Sequence, residues 1–348
     1  IDDRFPLTKV WKEHIAEYYA PKNFNFLYYF GAILTVMLVI QIVTGIILTM
    51  HYKPDVALAF ASIEYIMRDV PAGWFVRYLH SVGASMIFIA LYIHMFRGLM
   101  YGSHRSPREL IWLLGMLLYV AMMAEAFFGY LLPWGNMSYW GAQVIISLFG
   151  AIPYIGESLE LWVRGDYYIS GITVSRFFAL HVVALPLILI ALVFLHLVAL
   201  HEVGAGNPEG VDIEEHLDDD GVPLDSVPFF PYKVLNGLVA IGVFMTVFAI
   251  IMFFFPEGGG YFIEMANFQE ANPLVTPDHI APVWYYAPFY TMLRAIPDPL
   301  GGLIVMAAAV AIIFIVPWLD RSNVKSAIFR PIYKWTFLLL ILDVSVLG

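Results

Sequence analysis

Seven long apolar stretches recur along the chain, each bounded by charged or polar residues. Each is close to the roughly 20 apolar residues that an α-helix needs to cross the hydrocarbon core of a membrane. The pattern therefore predicts an all-α integral membrane protein, folded as a bundle of transmembrane helices. The predicted spans cover residues 24–51, 75–101, 110–132, 172–200, 230–255, 299–318 and 327–347. Ahead of them, residues 5–19 have the mixed apolar and polar pattern of a helix that lies in the membrane surface.

Histidines occur in pairs inside two of these stretches. His80 and His94 are fourteen residues apart in the second, and His181 and His196 are fifteen apart in the fourth. Fourteen steps of an α-helix make almost four turns, so the first two imidazoles share one face, roughly 21 Å apart. A lone membrane histidine usually bonds to a neighbouring helix, but ionisable groups in the bilayer are costly and often functional. Two pairs at matching depths indicate two flat metal cofactors, for which haem with two imidazole ligands is the obvious candidate.

Glycines repeat the histidine spacing in two further stretches. Gly31 and Gly45 lie fourteen residues apart in the first, and Gly115 and Gly129 lie fourteen apart in the third. Small residues commonly serve only to let helices pack closely. Because the spacing matches that of the histidines, we interpret these glycines as room for a macrocycle at two depths. The four stretches together predict a dihaem four-helix core.

Three arginines stand at the ends of the histidine-bearing spans. They are Arg77, Arg97 and Arg176. Arginines at the inner ends of spans are ordinary anchors, but two of these fall on the predicted outer side, where that explanation fails. Pairing with the propionate groups of haem gives them a role, because guanidinium binds carboxylate through two parallel hydrogen bonds.

Composition limits the chemistry further. The chain is 61% hydrophobic and 13% charged, which excludes an ordinary soluble domain. It has no cysteine, which excludes covalent c-type haem, a cysteine-ligated iron–sulfur cluster and disulfides. Any redox metal must therefore be held by histidine. Much of the formal charge of −10 falls in the run 212–220, which we interpret as a solvated loop.

Lys and Arg are unevenly divided between the two sides of the predicted membrane. With the N-terminus inside, twelve of the 18 lie on that side and six on the other. The positive-inside rule therefore predicts a multi-pass protein with a cytoplasmic N-terminus. The pair His80 and His181 then lies towards the outer face, and the pair His94 and His196 towards the inner face.

Two long loops on the predicted outer side are rich in glycine, proline and aromatic residues. They cover residues 129–157 and 271–290. Long loops of this kind beside a membrane are often structured and functional. Together they could wall an apolar pocket beside the outer histidine pair.

These features together resemble cytochrome b of the respiratory quinol–cytochrome c oxidoreductase (complex III). The resemblance covers essentially all 348 residues and is closest to the bacterial and mitochondrial form. It rests on the paired histidines and spaced glycines and on the motifs Arg176–His181, Leu132–Gly135 and Pro282–Tyr285. The family has eight spans, so we expect one more C-terminal span than this sequence contains. We also expect a bacterial inner membrane location.

The resemblance implies the cofactors. His80 and His181 would hold a non-covalent low-potential b haem on the outer side, and His94 and His196 a high-potential b haem on the inner side. Quinol would be oxidised at an outer site, and quinone reduced at an inner site near His201. The outer-site residues implied by matching positions are Phe127, Tyr130, the stretch Gly135–Gly141, Pro282, Trp284 and Tyr285.

The resemblance also implies the partners and the organisation. One electron would go to a Rieske iron–sulfur protein and on to a membrane-anchored c-type cytochrome, and the other across the haems. We expect a homodimer embedded in lipid, with no nucleic-acid partner and no activity of this chain alone. Residues 1–200 would form the dihaem bundle, 201–229 an acidic cytoplasmic loop, and 230–348 a quinol-site region with three spans.

Three departures from the family pattern stand out. The second histidine pair is one residue further apart than the first, and the helix must absorb the extra step. Val283 stands where the family motif has a glutamate proposed to accept a proton from quinol, and Glu125 lies unexpectedly in the uncharged third span. We predict that Glu125 supplies that carboxylate, the alternative being a carboxyl that is kept protonated or hydrogen-bonded to a neighbour. At the inner site, Asn236 and Gly237 replace a Lys-Asp pair, which leaves His201 or the adjacent glutamate to exchange protons.

Two other functions fit part of the pattern. A dihaem anchor of a membrane dehydrogenase also uses histidine pairs, but such anchors are usually shorter and lack the outer loop motif. A non-redox transporter could use histidines for substrate or protons, but nothing in the chain resembles the inverted repeats or broken helices of that class. A visible spectrum separates the transporter at once.

Overall fold

The computed structural model describes residues 2, 4 and 6–347. Its α-helices are α1 Leu7–Trp11, α2 Phe30–Thr49, α3 Ala59–Arg68, α4 Gly73–Met100, α5 Glu109–Leu131, α6 Asn136–Gly150, α7 Gly156–Arg164, α8 Gly171–Ala179, α9 Leu185–Val203, α10 Val234–Phe254, α11 Ala287–Ala295, α12 Pro299–Leu319 and α13 Pro331–Leu347. π-Helical turns are Lys12–Ala16, Leu180–Ala184 and Phe229–Lys233. 3₁₀ turns are Phe26–Tyr29, Ile213–Glu215, Gly258–Gly260, Met265–Phe268, Trp284–Tyr286 and Ala327–Phe329. Strands β1 Tyr19–Pro21 and β2 Ser226–Pro228 pair antiparallel, with Tyr19 opposite Pro228.

Six helices in the described part of the chain are long and apolar enough to cross a membrane. They are Phe26–Thr49, Gly73–Met100, Glu109–Leu131, Gly171–Val203, Phe229–Phe254 and Pro299–Leu319. The all-α prediction is confirmed, and six of the seven predicted spans meet this criterion. The seventh stretch folds as a 3₁₀ turn followed by α13, which begins only at Pro331 and has 17 residues.

Large apolar side chains cover the outer surfaces of the long helices. On α9 and α10, Leu187, Phe194 and Val239 are 62%, 65% and 67% exposed. Contiguous apolar surface of this extent marks contact with a membrane rather than with water. The exposed apolar surfaces of these helices therefore support the membrane-spanning role that their length and composition indicate.

Four helical rods form the core that holds the histidines. α4 packs against α2 and α10, and α5 packs against α8 and α9. Gly83 of α4 allows a close approach, because a Cβ atom there would overlap the side chain of Gln41 on α2. Gln41 in turn donates a hydrogen bond from Nε2 to the carbonyl of Leu79 at 3.2 Å. The predicted four-helix arrangement is what the chain forms.

The N-terminal segment lies against the start of α10. α1 continues as the π-helical turn Lys12–Ala16, and the rings of Trp11 and Phe230 meet at 5.5 Å between centroids. The predicted surface helix over residues 5–19 is therefore helical from Leu7 to Ala16, while Phe5 lies outside the described residues. The boundaries drawn at residues 200 and 230 stay a prediction.

The acidic run 212–220 is largely the solvated loop that was predicted. Residues 214–220 are exposed. Asp212 is different, because its oxygens accept hydrogen bonds from Arg108 Nη1 and Lys325 Nζ, both at 2.6 Å. Burial raises the pKa of Asp212, but these two cations more than offset it and hold the pKa below its ordinary value. Asp212 thus connects the loop to Arg108, just before α5, and to Lys325, just before the 3₁₀ turn Ala327–Phe329.

Replacing Asp212 with asparagine should destabilise the protein. The change leaves two partly buried cations without a carboxylate, which costs on the order of 3 kcal/mol. We expect a lower midpoint in thermal unfolding of the detergent-solubilised protein, followed by circular dichroism. Asp219→Asn is the matched control, because it removes the same charge from an exposed position of the same loop. Equal midpoints for the two variants would contradict the prediction.

Candidate functional site

The structure brings the four histidines together in the predicted pairs. The ring centroids of His80 and His181 are 6.1 Å apart, and those of His94 and His196 are 6.4 Å apart. Two imidazoles on opposite sides of one metal ion, each bound through nitrogen at about 2 Å, leave roughly 6 Å between ring centroids. Both pairs therefore have the separation expected of two imidazoles that would bind one metal ion between them.

The extra residue in the second histidine spacing is absorbed at His181 itself. α8 and α9 form one continuous rod through the π-helical turn Leu180–Ala184, which contains His181. A π turn accommodates one more residue than an α turn, and such turns are frequent at functional sites. His196 therefore still faces His94, although the spacing is fifteen rather than fourteen.

The four spaced glycines each lie against one histidine ring. A Cβ atom would come within 3.2–3.3 Å of Cε1 of the ring at three of them and would overlap the ring at the fourth, Gly129. The glycines therefore make room first for the imidazoles themselves, a more direct reason than the predicted macrocycle edge. The contacts are Gly31 with His94, Gly45 with His80, Gly115 with His196 and Gly129 with His181.

Hydrogen bonds orient the outer pair for metal binding. His181 Nδ1 lies 2.9 Å from the carbonyl oxygen of Glu125, which can only accept, so Nδ1 carries the proton. His80 Nδ1 lies 2.9 Å from Thr44 Oγ1, whose own proton goes to the carbonyl of Ile40 at 2.6 Å. In both rings Nε2 is then left unprotonated, as a metal ligand must be. The outer pair fits an iron porphyrin with two axial imidazoles.

The three arginines occupy the ends of these helices. The guanidinium of Arg97 packs over the ring of Tyr28, 4.6 Å from its centroid, and its buried Nε has no hydrogen-bond partner among the described residues. Arg176 Nη1 donates to the carbonyl of Trp162 at 2.7 Å. Arg77 lies one turn before His80 on α4. Their pairing with propionates stays a prediction, and the unpaired Nε of Arg97 is consistent with it.

An apolar cavity opens where the two long loops meet the end of α5. Phe127, Tyr130 and Pro282 line it, as predicted. Trp284 and Tyr285 do not. Trp284 Nε1 donates to Ser85 Oγ at 3.2 Å, and the ring of Tyr285 stacks on Phe88 at 3.9 Å. The full lining is Phe127, Tyr130, Gly141, Val144, Ile145, Ile280, Pro282, Val283, Tyr286 and Tyr290.

Trp284 and Tyr285 therefore anchor the loop to α4. Tyr286, which the sequence did not single out, faces the cavity instead and donates from its hydroxyl to the carbonyl of Met123 at 2.5 Å. The sequence contained one sign of this role, because Tyr286 is the third consecutive aromatic residue after Val283. Its direction follows from the 3₁₀ turn Trp284–Tyr286, which turns successive side chains to different sides.

Glu125 is not among the residues that line the cavity. Its Oε1 lies 3.1 Å from His181 Nδ1, the same atom that donates a hydrogen bond to the backbone carbonyl of Glu125. The side chain therefore supports a histidine of the outer pair. This is the arrangement that the alternative interpretation of Glu125 described.

A second carboxylate lies close to the cavity and escaped the sequence analysis. Glu264 follows α10 in the loop segment Tyr261–Phe268, and it interacts electrostatically with Tyr130 of the cavity wall. Its signal in the sequence is a single charge in an otherwise uncharged, largely apolar run. No periodic pattern connects that run with Tyr130.

His201, predicted at the inner site, lies next to the N-terminal segment. Its ring is 5.1 Å from that of Tyr18, and its Nδ1 is 3.1 Å from the carbonyl of Leu197. Gly237 lies against Tyr29, whose ring a Cβ atom would meet at 3.4 Å. The structure thus places the predicted inner-site residues among aromatic side chains, and their role stays a prediction.

Comparison with known proteins agrees with this geometry. Residues 15–204 match the family model for cytochrome b/b6/petB, and residues 270–348 match that for cytochrome b(C-terminal)/b6/petD. Cytochrome b of Allochromatium vinosum is 56% identical over 344 residues, which are 96% of this chain and 83% of the relative. Cytochrome b of Rhodospirillum rubrum is 46% identical over 347 residues, covering 100% and 83%.

A solved structure shows the same fold. A chain of a hyperthermophilic respiratory complex III superposes with a TM-score of 0.92 at 36% identity, covering 99% of this chain and 89% of that chain. The apolar helices and these relatives make the chain an integral membrane protein and a subunit of an oxidoreductase. The chain belongs to the cytochrome b/b6 family, as a cytochrome b of the complex III type.

Proposed function

We propose that this chain is the dihaem subunit of a quinol–cytochrome c oxidoreductase. His80 and His181 would hold the low-potential b haem, and His94 and His196 the high-potential one. The observation that carries the proposal is the facing distance of both imidazole pairs, 6.1 and 6.4 Å between ring centroids. When bound, the haems supply one-electron transfer between the two faces of the bundle. The dehydrogenase-anchor and transporter alternatives are dropped, because the family is that of complex III.

Quinol oxidation belongs at the apolar cavity beside the outer pair. Phe127, Tyr130 and Pro282 supply its apolar wall, and Trp284 and Tyr285 fix the loop that closes it. Such a pocket, mostly apolar with few polar groups, suits a small amphipathic ligand. One electron of quinol would leave to a Rieske iron–sulfur partner and on to a membrane-anchored c-type cytochrome. The other would reach quinone at an inner site near His201, while protons leave on the outer side.

The orientation follows from the charged residues. Twelve of the 18 Lys and Arg lie on the predicted side of the N-terminus, which supports a cytoplasmic N-terminus with the cavity on the outer side. A homodimer in the inner membrane agrees with the resemblance to complex III. The chain needs its partners, because it has no cysteine for an iron–sulfur cluster or a c-type haem.

A spectrum and a single reduction experiment test the proposed function. The purified complex should show two b-type haems per copy of this chain. Added quinol should reduce b haem while a quinone analogue blocks the inner site, and an outer-site quinol mimic should prevent that reduction. Absence of b haem, or no reduction by quinol, would contradict the proposal.

Glu125 has two separable roles to test. We propose that it positions His181, because its Oε1 lies 3.1 Å from Nδ1 of that ring. An acceptor at Nδ1 makes the ring a more basic ligand, which favours oxidised iron. Glu125→Leu should therefore raise the midpoint potential of the outer haem by about 40 mV, the equivalent of one hydrogen bond of about 1 kcal/mol.

Glu125→Gln is the matched variant, because it keeps an oxygen acceptor of the same reach. Its midpoint potential should stay close to that of the wild type in a redox titration. The expectation that Glu125 accepts a quinol proton stays a prediction. It would be supported if Glu125→Gln abolished quinol oxidation while both haems kept their spectra.

A further inference from the structure

Two buried polar groups face each other at the rim of the outer cavity. They are the hydroxyl of Tyr130 at the end of α5 and Oε2 of Glu264, and neither makes a hydrogen bond of good geometry with the described residues, although the Tyr130 hydroxyl lies near the side chains of Glu264 and Asn267. The two groups nevertheless lie close enough to interact electrostatically. Buried polar atoms are almost always paired. Two such atoms side by side at a cavity indicate that a polar ligand group completes them.

The segment that carries Glu264 is fixed in position. Asn267 Oδ1 accepts a hydrogen bond from the backbone N–H of Ser138 at 2.7 Å, and the carbonyl of Gln269 accepts one from Asn136 N–H at 2.9 Å. Gly135 allows this contact, because a Cβ atom there would lie 2.8 Å from the backbone of Asn267. The loop is thus attached to the start of α6, and Glu264 is held next to Tyr130.

The surroundings of Glu264 favour a carboxyl group that exchanges protons near neutral pH. Burial raises its pKa from the ordinary 4.5 to about 7. The titratable groups that face it are the hydroxyls of Tyr130 from α5 and Tyr285 from the 3₁₀ turn, neither of which carries a positive charge. A general base works best when its pKa lies near the operating pH. The residue as a whole is only half-buried.

We propose that Glu264 accepts a proton from quinol at the outer cavity, in place of the carboxylate that Val283 lacks. The proposal rests on the outer quinol site proposed above. Quinol loses two electrons and two protons on becoming quinone, and the electrons go to the iron–sulfur partner and to the inner side as described. One hydroxyl proton passes from the quinol oxygen to Oε2 of Glu264, which becomes the neutral acid, and the proton of the other hydroxyl leaves to the outer side with the electron that the iron–sulfur partner accepts. The proton on Glu264 then passes to water on the outer side, while the Tyr130 hydroxyl donates a hydrogen bond to the same quinol oxygen.

The assembled complex provides the test, with Glu264→Gln as the variant. Loss of a general base should lower kcat for quinol oxidation at pH 7 by about 100-fold or more. The wild-type rate should rise with pH up to about 7, where the carboxylate form becomes dominant, and the variant should lose this rise. Both haem spectra should be unchanged. Glu264→Asp, which keeps the carboxyl group, should recover part of the rate.

Glu270→Gln is the control. It removes a carboxylate six residues away, at an exposed position of the same loop, and should keep the wild-type rate and pH profile. A second readout is independent of turnover. Infrared difference spectra on binding a non-oxidisable quinol analogue should contain a carboxyl band that disappears in Glu264→Gln and moves in Glu264→Asp.

The outcomes separate this inference from the function on which it rests. If the wild-type complex fails to reduce b haem with quinol, the proposed function is wrong. If it succeeds and Glu264→Gln keeps both the rate and the pH profile, only the role of Glu264 is overturned. Should Glu264→Gln not assemble, the infrared spectra of the wild type and Glu264→Asp decide, and identical carboxyl bands in the two would overturn the assignment.

Discussion

His80→Leu should remove the outer haem and stop quinol oxidation. Leucine fills a similar volume but offers no lone pair, so His181 would face iron without a partner at the 6.1 Å spacing of this pair. Mutating a group that only supports a metal ligand typically lowers metal affinity or activity by roughly 10–100-fold. Loss of a ligand itself should therefore lower quinol oxidation by more than about 100-fold. The b-haem absorbance per chain should fall by half, since His94 and His196 are untouched.

The spectrum of the purified variant gives the measurement. His51→Leu is the matched control, because His51 lies just after the end of α2 and its ring is next to that of Tyr65, at 6.2 Å between centroids. That control should keep two haems and the wild-type rate. Two haems with unaltered spectra in His80→Leu would show that His80 is not a ligand, and the assigned pairing would then be wrong.

Gly129→Ala should abolish the outer haem while leaving the inner one in place. The added methyl group would overlap Cε1 of His181 and lie 2.8 Å from its Nδ1. The ring cannot turn away without losing the bond to the carbonyl of Glu125, so ring and helix must separate. Overpacking of a rigid site costs about 1–3 kcal/mol or more, and here that strain falls on a metal ligand.

Two further glycines give the graded controls for Gly129→Ala. At Gly115 the added Cβ would come no nearer than 3.3 Å to His196, so Gly115→Ala should only weaken the inner haem. At Gly242 of α10 nothing lies within 4 Å, and Gly242→Ala should be silent or stabilise that helix by up to about 1 kcal/mol. Haem content from visible spectra ranks the three variants. Equal haem content in all of them would contradict the role of Gly129.

The hydrophobic pattern predicted most of the fold because the bilayer imposes it. A backbone in lipid must satisfy its own hydrogen bonds, so each span appears as an uninterrupted apolar run. The stretch 327–347 differs only at its start, since its first residues form a 3₁₀ turn and the helix begins at Pro331. The histidine pairs were visible for a related reason. Polar residues at regular spacing stand out against an apolar background.

The outer cavity was only partly predictable. Phe127, Tyr130 and Pro282 line it as expected, but the directions of Trp284 and Tyr285 depend on a 3₁₀ turn that no periodicity reveals. The same limit hid Tyr286 and Glu264. Glu264 meets Tyr130 only because the loop is hydrogen-bonded to α6, a contact between positions more than 120 residues apart. Loops have no repeating pattern from which such contacts could be inferred.

The widened turn at Leu180–Ala184 has a consequence for how this chain can change during evolution. Adding a residue to a plain transmembrane helix rotates everything beyond it by about 100° and shifts it by about 1.5 Å. A local bulge confines that disturbance to a single turn, so the far half of the rod keeps its orientation. Single-residue insertions and deletions at this depth can therefore be inherited without moving His196 away from His94, so homologous helices can differ in length while presenting the same two rings.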